Sequence, residues 1–209
     1  MFTKTLHTET KSLLEKIGKL KIHDNFYLAG GTALSLQLGH RTSVDLDFFS
    51  KSEIDIESLK EVLSNNNLKY HITNESLGTL DLVIDNVKIS FLEYKYPLIN
   101  DLISYNNIYL CSTLDIACMK ITAISSRGSK KDFYDIWAIL KEYSITDIFD
   151  ALRKKYTDVE YSTAHLLKSL TYFKDAESEP EPVMIVDTNW EEVKRDITKK
   201  VIRESKLII

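Results

Sequence analysis

Glycine is rare in this chain, with six among 209 residues, and three of the six (Gly30, Gly31 and Gly39) lie within ten residues of one another. A sequence so sparing with glycine keeps it where bare backbone is required. Gly30-Gly31-Thr32 follows the apolar run Phe26-Tyr27-Leu28-Ala29. Ala33 to Leu38 then reads as a short helix, closed by Gly39 in the left-handed cap position. After a polar loop, His40 to Ser43, the segment Val44-Asp45-Leu46-Asp47-Phe48-Phe49 alternates with period two and reads as a strand. The rest of the fold must be built around this glycine-led helix and the carboxylate-bearing strand it feeds.

The flanking patterns supply the other elements. Residues 5–20 carry Leu6, Leu13, Leu14, Ile17 and Leu20 at mostly helical spacing, and 54–66 predicts a second amphipathic helix. Strand-like segments follow at 68–73, 79–84 and 87–94, the last two joined by Asp85-Asn86, the chemistry of a two-residue hairpin turn. From Thr113 the pattern is helical, with further helices predicted at 146–155, 162–170 and 190–207. Asp175-Ala176-Glu177-Ser178-Glu179-Pro180-Glu181-Pro182 reads as an exposed acidic connector. The first hundred residues thus mix helices with a small sheet and the second hundred are helical, an α+β organisation.

Composition narrows the function classes. With 44% apolar and 28% charged residues and a net charge of -4, the chain can bury a core and lacks a generally basic nucleic-acid coat. Cys111 and Cys118 have no metal-ligand spacing and read as buried, reduced thiols. The start lacks the apolar core of a signal peptide, and nothing approaches the ~18 apolar residues of a membrane span. The expectation is a cytoplasmic protein without a membrane partner.

The chemistry centres on Asp45 and Asp47, which as residues i and i+2 of a strand project together. Two close carboxylates repel, and a divalent cation such as Mg²⁺ removes the conflict, taking one or two carboxylates plus phosphate oxygens. Gly30 and Gly31 let backbone approach a phosphate, and the N-terminus of the following helix offers unpaired N–H groups to an anion. Thr32 adds a hydroxyl donor or caps that helix. Glu93, in the otherwise apolar Ile89-Ser90-Phe91-Leu92-Glu93-Tyr94, either completes a metal site as a third carboxylate or reaches water at a strand end. Lys120 and Arg127, seven apart, share a helical face that could neutralise a triphosphate. Ser129 with Asp132 resembles a capping box, whereas capping gives no reason for Asp135.

The segment from Gly30 through Asp47 resembles the first motif of the AbiEii-type nucleotidyltransferases, in the DNA-polymerase-β-like superfamily. Lys120, Arg127-Gly128 and Lys131-Asp132-Phe133-Tyr134-Asp135 resemble the family's later motifs in the right order. The resemblance covers about residues 25–145 and extends more weakly through Tyr172-Phe173-Lys174-Asp175-Ala176-Glu177 and the Trp190 helix. It implies a nucleotidyltransferase fold over 1–110, a small mixed sheet flanked by helices, and a helical domain over 111–209 that completes the cleft.

The resemblance also implies roles for individual residues. Gly30, Gly31, Thr32, Arg41, Lys120, Arg127 and Asp132 would meet the nucleotide, and Asp45 and Asp47 would hold Mg²⁺ or Mn²⁺. Asp45, Asp47, Lys120 and Asp135 would form the catalytic set. Glu93 joins the metal and catalytic residues by analogy with the superfamily alone, and Thr32 stands where the superfamily usually has Ser. The implied reaction is transfer of a nucleotide from an NTP to an acceptor such as a tRNA end, by a toxin paired with a cognate antitoxin in a type IV or abortive-infection system. The alternatives are a small-molecule nucleotidyltransferase of the antibiotic-modifying kind and a nucleotide-binding interaction protein without turnover. Arg153-Lys154-Lys155 and Lys199-Lys200-Arg203-Lys206 are basic runs that serve either as solvated helix surface or as local RNA-facing patches.

Overall fold

The computed structural model describes residues 1–208 apart from 21, 23 and 24. A 3₁₀ turn at Thr3–Thr5 precedes helix α1 (Thr8–Ile17), followed by β1 (Tyr27–Leu28), α2 (Gly30–Leu38), β2 (Leu46–Ser50) and α3 (Ile56–Asn65). Three strands then form a meander, β3 (Tyr70–Ser76), β4 (Thr79–Ile84) and β5 (Val87–Glu93), and a short hairpin adds β6 (Ile103–Tyr105) and β7 (Ile108–Leu110). The remainder is helical: α4 (Thr113–Arg127), α5 (Lys130–Ile139), α6 (Ile145–Lys155), α7 (Thr163–Ser169) and α8 (Trp190–Glu204).

Local chemistry accounts for most of these boundaries. Gly39 ends α2 at φ +68° and Gly128 ends α4 at φ +58°, both left-handed caps. Ser112, Ser144, Ser162 and Asn189 each accept a backbone N–H at the start of α4, α6, α7 and α8. Asp85-Asn86 both take positive φ, as a twisted two-residue hairpin requires. Asn106-Asn107 do the same between β6 and β7, a hairpin that the sequence reading did not assign.

The described residues form a seven-stranded mixed sheet in the order β3-β4-β5-β2-β1-β7-β6. β2 runs parallel to β5 and antiparallel to β1. Leu46 and Phe48 of β2, with Ile89 and Phe91 of β5, are buried on one face of the sheet. Asp47 and Phe49 alternate to the opposite face and line a cleft. Helix α2 touches β2 and also packs against α4 and α5, so the sheet and the helical half meet in one continuous core. Both cysteines are free and lie in that core.

Two buried charged groups fasten the halves together. Asp115, in the first turn of α4, accepts the amides of Ile99 and Asn100 at 2.9 and 3.1 Å and Lys155 Nζ at 2.8 Å, with both side chains fully buried. Lys155 also donates to the Pro97 carbonyl at 2.8 Å. Burial pushes the Asp115 carboxyl up, but Lys155, the Ile99 amide and the Ser112 hydroxyl outweigh it and hold it below the ordinary carboxylate range.

The stretch from Asp175 to Pro182 is largely exposed, as its composition predicts, with Asp175, Glu177, Ser178, Pro180 and Glu181 open to solvent, but it is fastened to the fold. Ala176 is fully buried, and Glu177 accepts Trp190 Nε1 at 3.0 Å and Lys194 Nζ at 2.8 Å. Further on, Thr42 N donates to the Val183 carbonyl (2.8 Å) and Ile185 N to the His40 carbonyl (2.9 Å). Acidic composition suggested solvation, but these carboxylates have specific donors, and the segment is a strap laid against the 40–42 loop.

Candidate active site

The start of α2 sets the geometry of the cleft. The helix begins at Gly30, three residues earlier than the apolar pattern predicts, so the glycine pair lies in its first turn. Gly30 takes φ +63°, and a Cβ there would stand 2.5 Å from Asp47 Oδ2. A Cβ on Gly31 would collide with Arg41 Nη2 and come within 3.2 Å of Ser43 Oγ. Glycine is therefore needed twice, once for conformation and once for space. The first amides of the helix have no intrahelical acceptors, and both glycines line the cleft.

Asp45 and Asp47 line the same cleft of about 740 Å³. Burial pushes the Asp47 carboxyl above the ordinary range, and the Asp45 carboxylate adds to this, opposed by Lys120, Lys131 and Lys88. The Asp47 main chain is fixed by Ala29 N, which donates to its carbonyl at 2.9 Å. Among the described residues neither carboxylate has an ion-pair partner in contact, so two acids share one wall with cations only at longer range. That donor set suits a hard divalent cation, with Asp45 and Asp47 as its protein ligands. Among the described residues no three His, Cys, Asp or Glu side chains are arranged to hold a metal by themselves, so further oxygens would have to come from phosphate or water.

Glu93 is not brought to this pair. In the parallel ladder Asp47 lies opposite Ser90, and Glu93 lies opposite Ser50, three residues further along. An odd offset puts Glu93 on the other face of the sheet, where Lys95 Nζ meets its carboxylate at 2.6 Å. The side chain beside Asp47 is Ser90, whose hydroxyl donates to Asp81 at 2.6 Å. Sequence alone cannot find this, because it depends on which strand pairs with β2 and in what register.

Thr32 also departs from expectation. It is fully buried, its hydroxyl donates to the Asp45 carbonyl, and it lies 2.9 Å from Ser43 Oγ. It ties α2 to the aspartate strand instead of offering a hydroxyl to a ligand.

The residues of α4 and α5 form a second wall. Lys120 and Arg127 both line the cleft, as their spacing predicts. Lys120 Nζ sits 2.6 Å from Asp132 Oδ1 and 2.6 Å from Asp135 Oδ2, all three groups being buried. Asp135 also receives Arg41 Nε at 2.7 Å, Arg41 Nη2 at 2.9 Å and His40 Nε2 at 2.8 Å. Burial pushes the Asp135 carboxyl up, but Lys120, Arg41 and His40 together hold it well below the ordinary range. Each of its oxygens already carries two donors, so it cannot accept a proton from a substrate hydroxyl. It positions Lys120 and Arg41. Burial works against these two cations, and the surrounding carboxylates more than offset it, raising both.

Asp132 does not close a capping box. Its carboxylate faces Lys120, with Arg127 Nη2 at 3.3 Å, and the cap of α5 comes from Glu179, which accepts Lys130 N at 2.7 Å and Ser129 Oγ at 2.8 Å. Arg41 is largely committed to Asp135 and the Thr42 carbonyl. Arg127, with a side chain 62% exposed, and the exposed Lys131 are the cations left open to a ligand. Lys131 was quoted in the motif without a role, although its place in the first turn of α5 marks it as a cleft residue.

Comparison with known proteins shows the family and the fold. A curated protein of Aquifex aeolicus, described only as uncharacterized, is 38% identical over 201 residues, covering 94% of this chain and 96% of its own. Two solved structures share the fold. MenT4, a nucleotidyltransferase toxin from Mycobacterium tuberculosis, has a TM-score of 0.59 at 13% identity, covering 93% of this chain and 84% of its own. JHP933 from Helicobacter pylori has a TM-score of 0.52 at 15% identity, covering 95% and 89%. The family model described as nucleotidyl transferase AbiEii toxin, type IV TA system, matches residues 12–73 and 77–203, so the chain belongs to the AbiEii nucleotidyltransferase toxin family.

Proposed function

We propose that this nucleotidyltransferase is the toxin of a type IV or abortive-infection pair, acting in the cytoplasm, and that it transfers a nucleoside monophosphate from an NTP to a tRNA acceptor end in a Mg²⁺-dependent reaction. The observation that carries this reading is the pair of carboxylates without a contact ion pair, Asp45 and Asp47, held against a helix N-terminus whose first two residues are glycine.

In this reading the triphosphate lies along the Gly30–Gly31 backbone, with Lys120, Arg127 and Lys131 facing its charge. Asp45 and Asp47 would hold Mg²⁺, which would supply Lewis-acid activation of the α-phosphate and a template for in-line attack. An acceptor hydroxyl oxygen forms the new bond to the α-phosphorus as the bond to the β-phosphate bridging oxygen breaks. Pyrophosphate leaves, and the hydroxyl proton passes to solvent. Asp132 and Asp135 take no part in bond making and keep Lys120 in place. The helical half, 111–209, contributes the cation-bearing wall. The family assignment supports a cognate antitoxin as the partner.

The test is incubation of the protein and Mg²⁺ with each α-phosphate-labelled NTP and total cellular RNA. One label should become macromolecular, and Asp47→Ala should abolish its transfer while unfolding at the same denaturant concentration or higher. Undiminished transfer by that variant, or an RNA pool unlabelled by all four nucleotides, would refute the proposal.

A further inference from the structure

A second depression, of about 290 Å³, lies where the end of α4 meets α7 and the turn that follows it. Its walls carry Arg127, His165, Lys168 and Tyr172. His165, Lys168 and Tyr172 are spaced by three and four residues, so they line one side of α7 and its C-terminal turn, and all three are exposed. Tyr172 shows 47% of its surface to solvent. Among the described residues its ring has no aromatic partner and Lys168 has no ion pair. Asp175 is the single acid in the groove. Arg127 lines both this groove and the cleft that holds Asp45 and Asp47, so the two depressions border the same arginine.

An open aromatic ring flanked by a lysine without an ion pair and by an exposed arginine is the combination that binds single-stranded nucleic acid, with bases stacking on the ring and phosphates meeting the cations. The net charge of the whole chain, -4, gives no general attraction for RNA, so any such surface has to be local. We infer that this groove holds the single-stranded 3′ end of the acceptor RNA. The penultimate nucleotides lie on Tyr172 and Lys168, and the terminal hydroxyl passes Arg127 into the cleft. The inference rests on the RNA-acceptor reading above and adds to it the surface that delivers the acceptor.

Two measurements separate the inference from the reading on which it rests. The first is fluorescence anisotropy of a 5′-labelled, single-stranded RNA ending in a free 3′ hydroxyl, titrated at two salt concentrations. The second is labelled-nucleotide transfer to RNA, with NTP binding measured alongside. Tyr172→Ala should weaken RNA binding about tenfold, and Tyr172→Phe should retain it. Lys168→Glu should weaken it and reduce the salt slope by about one. In both weakened variants KM for RNA should rise while kcat at saturating RNA and NTP affinity stay at wild-type values.

If the native protein transfers label to RNA and the variants match it in KM and affinity, the groove assignment is overturned and the acceptor reading stands. If the native protein binds the RNA and the variants do not, but no label moves, the groove stands and the acceptor reading falls. Absence of RNA binding by the native protein at low salt, or an equal loss of NTP binding in the variants, also overturns the groove assignment.

Discussion

Gly30→Ala tests whether the glycine at the head of α2 serves the site or merely the turn. At φ +63° an L side chain is strained, which costs about 1–2 kcal/mol. The added Cβ would also stand 2.5 Å from Asp47 Oδ2, whereas a carbon–oxygen approach needs roughly 3.3 Å, so the carboxylate must retreat by roughly 0.8 Å. Misplacement of a reacting group by ~1 Å can cost ~100-fold in rate. Against a typical stability of about 5–15 kcal/mol the variant stays folded. Gly39→Ala provides the control, since it has φ +68° and its Cβ would meet the Phe2 ring at 2.7 Å, away from the aspartates. Urea unfolding should show a similar loss for both variants, while nucleotide transfer falls about 100-fold in Gly30→Ala and stays within about threefold of native in Gly39→Ala. Equal activities in the two variants would show that Gly30 is a turn glycine and that the closeness of Asp47 has no consequence.

Thr32→Val removes the hydroxyl that donates to the Asp45 carbonyl. It should cost about 1 kcal/mol in urea unfolding while leaving NTP affinity within about threefold, and a larger loss of affinity would mean that the hydroxyl meets the ligand after all. Asp135→Asn leaves buried Arg41 and Lys120 short of charge and should destabilise by about 3–5 kcal/mol, measured by urea unfolding at neutral pH. Because the folded Asp135 carboxyl titrates below its unfolded value, its contribution is complete at neutral pH. It is lost as pH falls from the ordinary aspartate range through the folded one, so the acid limb of the stability profile should be shallower in Asp135→Asn. Lys155→Met strands the buried Asp115 carboxylate and should cost about 3–5 kcal/mol, read from the shift in unfolding midpoint.

What the sequence disclosed follows the reach of each interaction. Gly39, the Asp85-Asn86 turn and the α4 cap by Ser112 are governed by a few neighbouring residues, and each was readable or nearly so. Asp45 and Asp47 were readable as a pair two residues apart that line one cleft, although β2 begins at Leu46 and Asp45 stands just before the strand, outside the alternation that the sequence predicts from Val44. Asn106-Asn107 carries the same signal as Asp85-Asn86, flanked by Ile103-Ser104-Tyr105 and Ile108-Tyr109-Leu110, and could have been found. Glu93 could not be judged, since the face it points to depends on an offset of three residues in a ladder between strands far apart in sequence. His40 and Arg41 meet Asp135 across more than ninety residues, so nothing local showed that this carboxylate was already filled. The strap was legible in its exposure and not in its contacts. Composition reports that acids are present, and only the fold reports that Glu179 faces the amide of Lys130 and Glu177 the indole of Trp190.

The cleft separates its cations into two kinds, and the separation explains why acids are buried beside a site that must receive a polyanion. Arg127 and Lys131 are exposed, and their charge is open to whatever enters. Lys120 is neutralised twice over, by Asp132 and Asp135 at 2.6 Å each, and so adds little long-range attraction. An ammonium has three N–H donors, however, and two of them are fixed by those carboxylates. The third cannot swing freely, and Lys120 lines the cleft. Its direction is therefore set before any ligand arrives, which is the condition under which a single donor stabilises developing charge without reorganisation. Arg41 and His40 hold Asp135 in turn, so the aim of Lys120 is fixed from the loop that also leads into Asp45. In the proposed nucleotide-binding arrangement the later acidic motif acts through geometry, as the support that holds one lysine at the wall of the cleft.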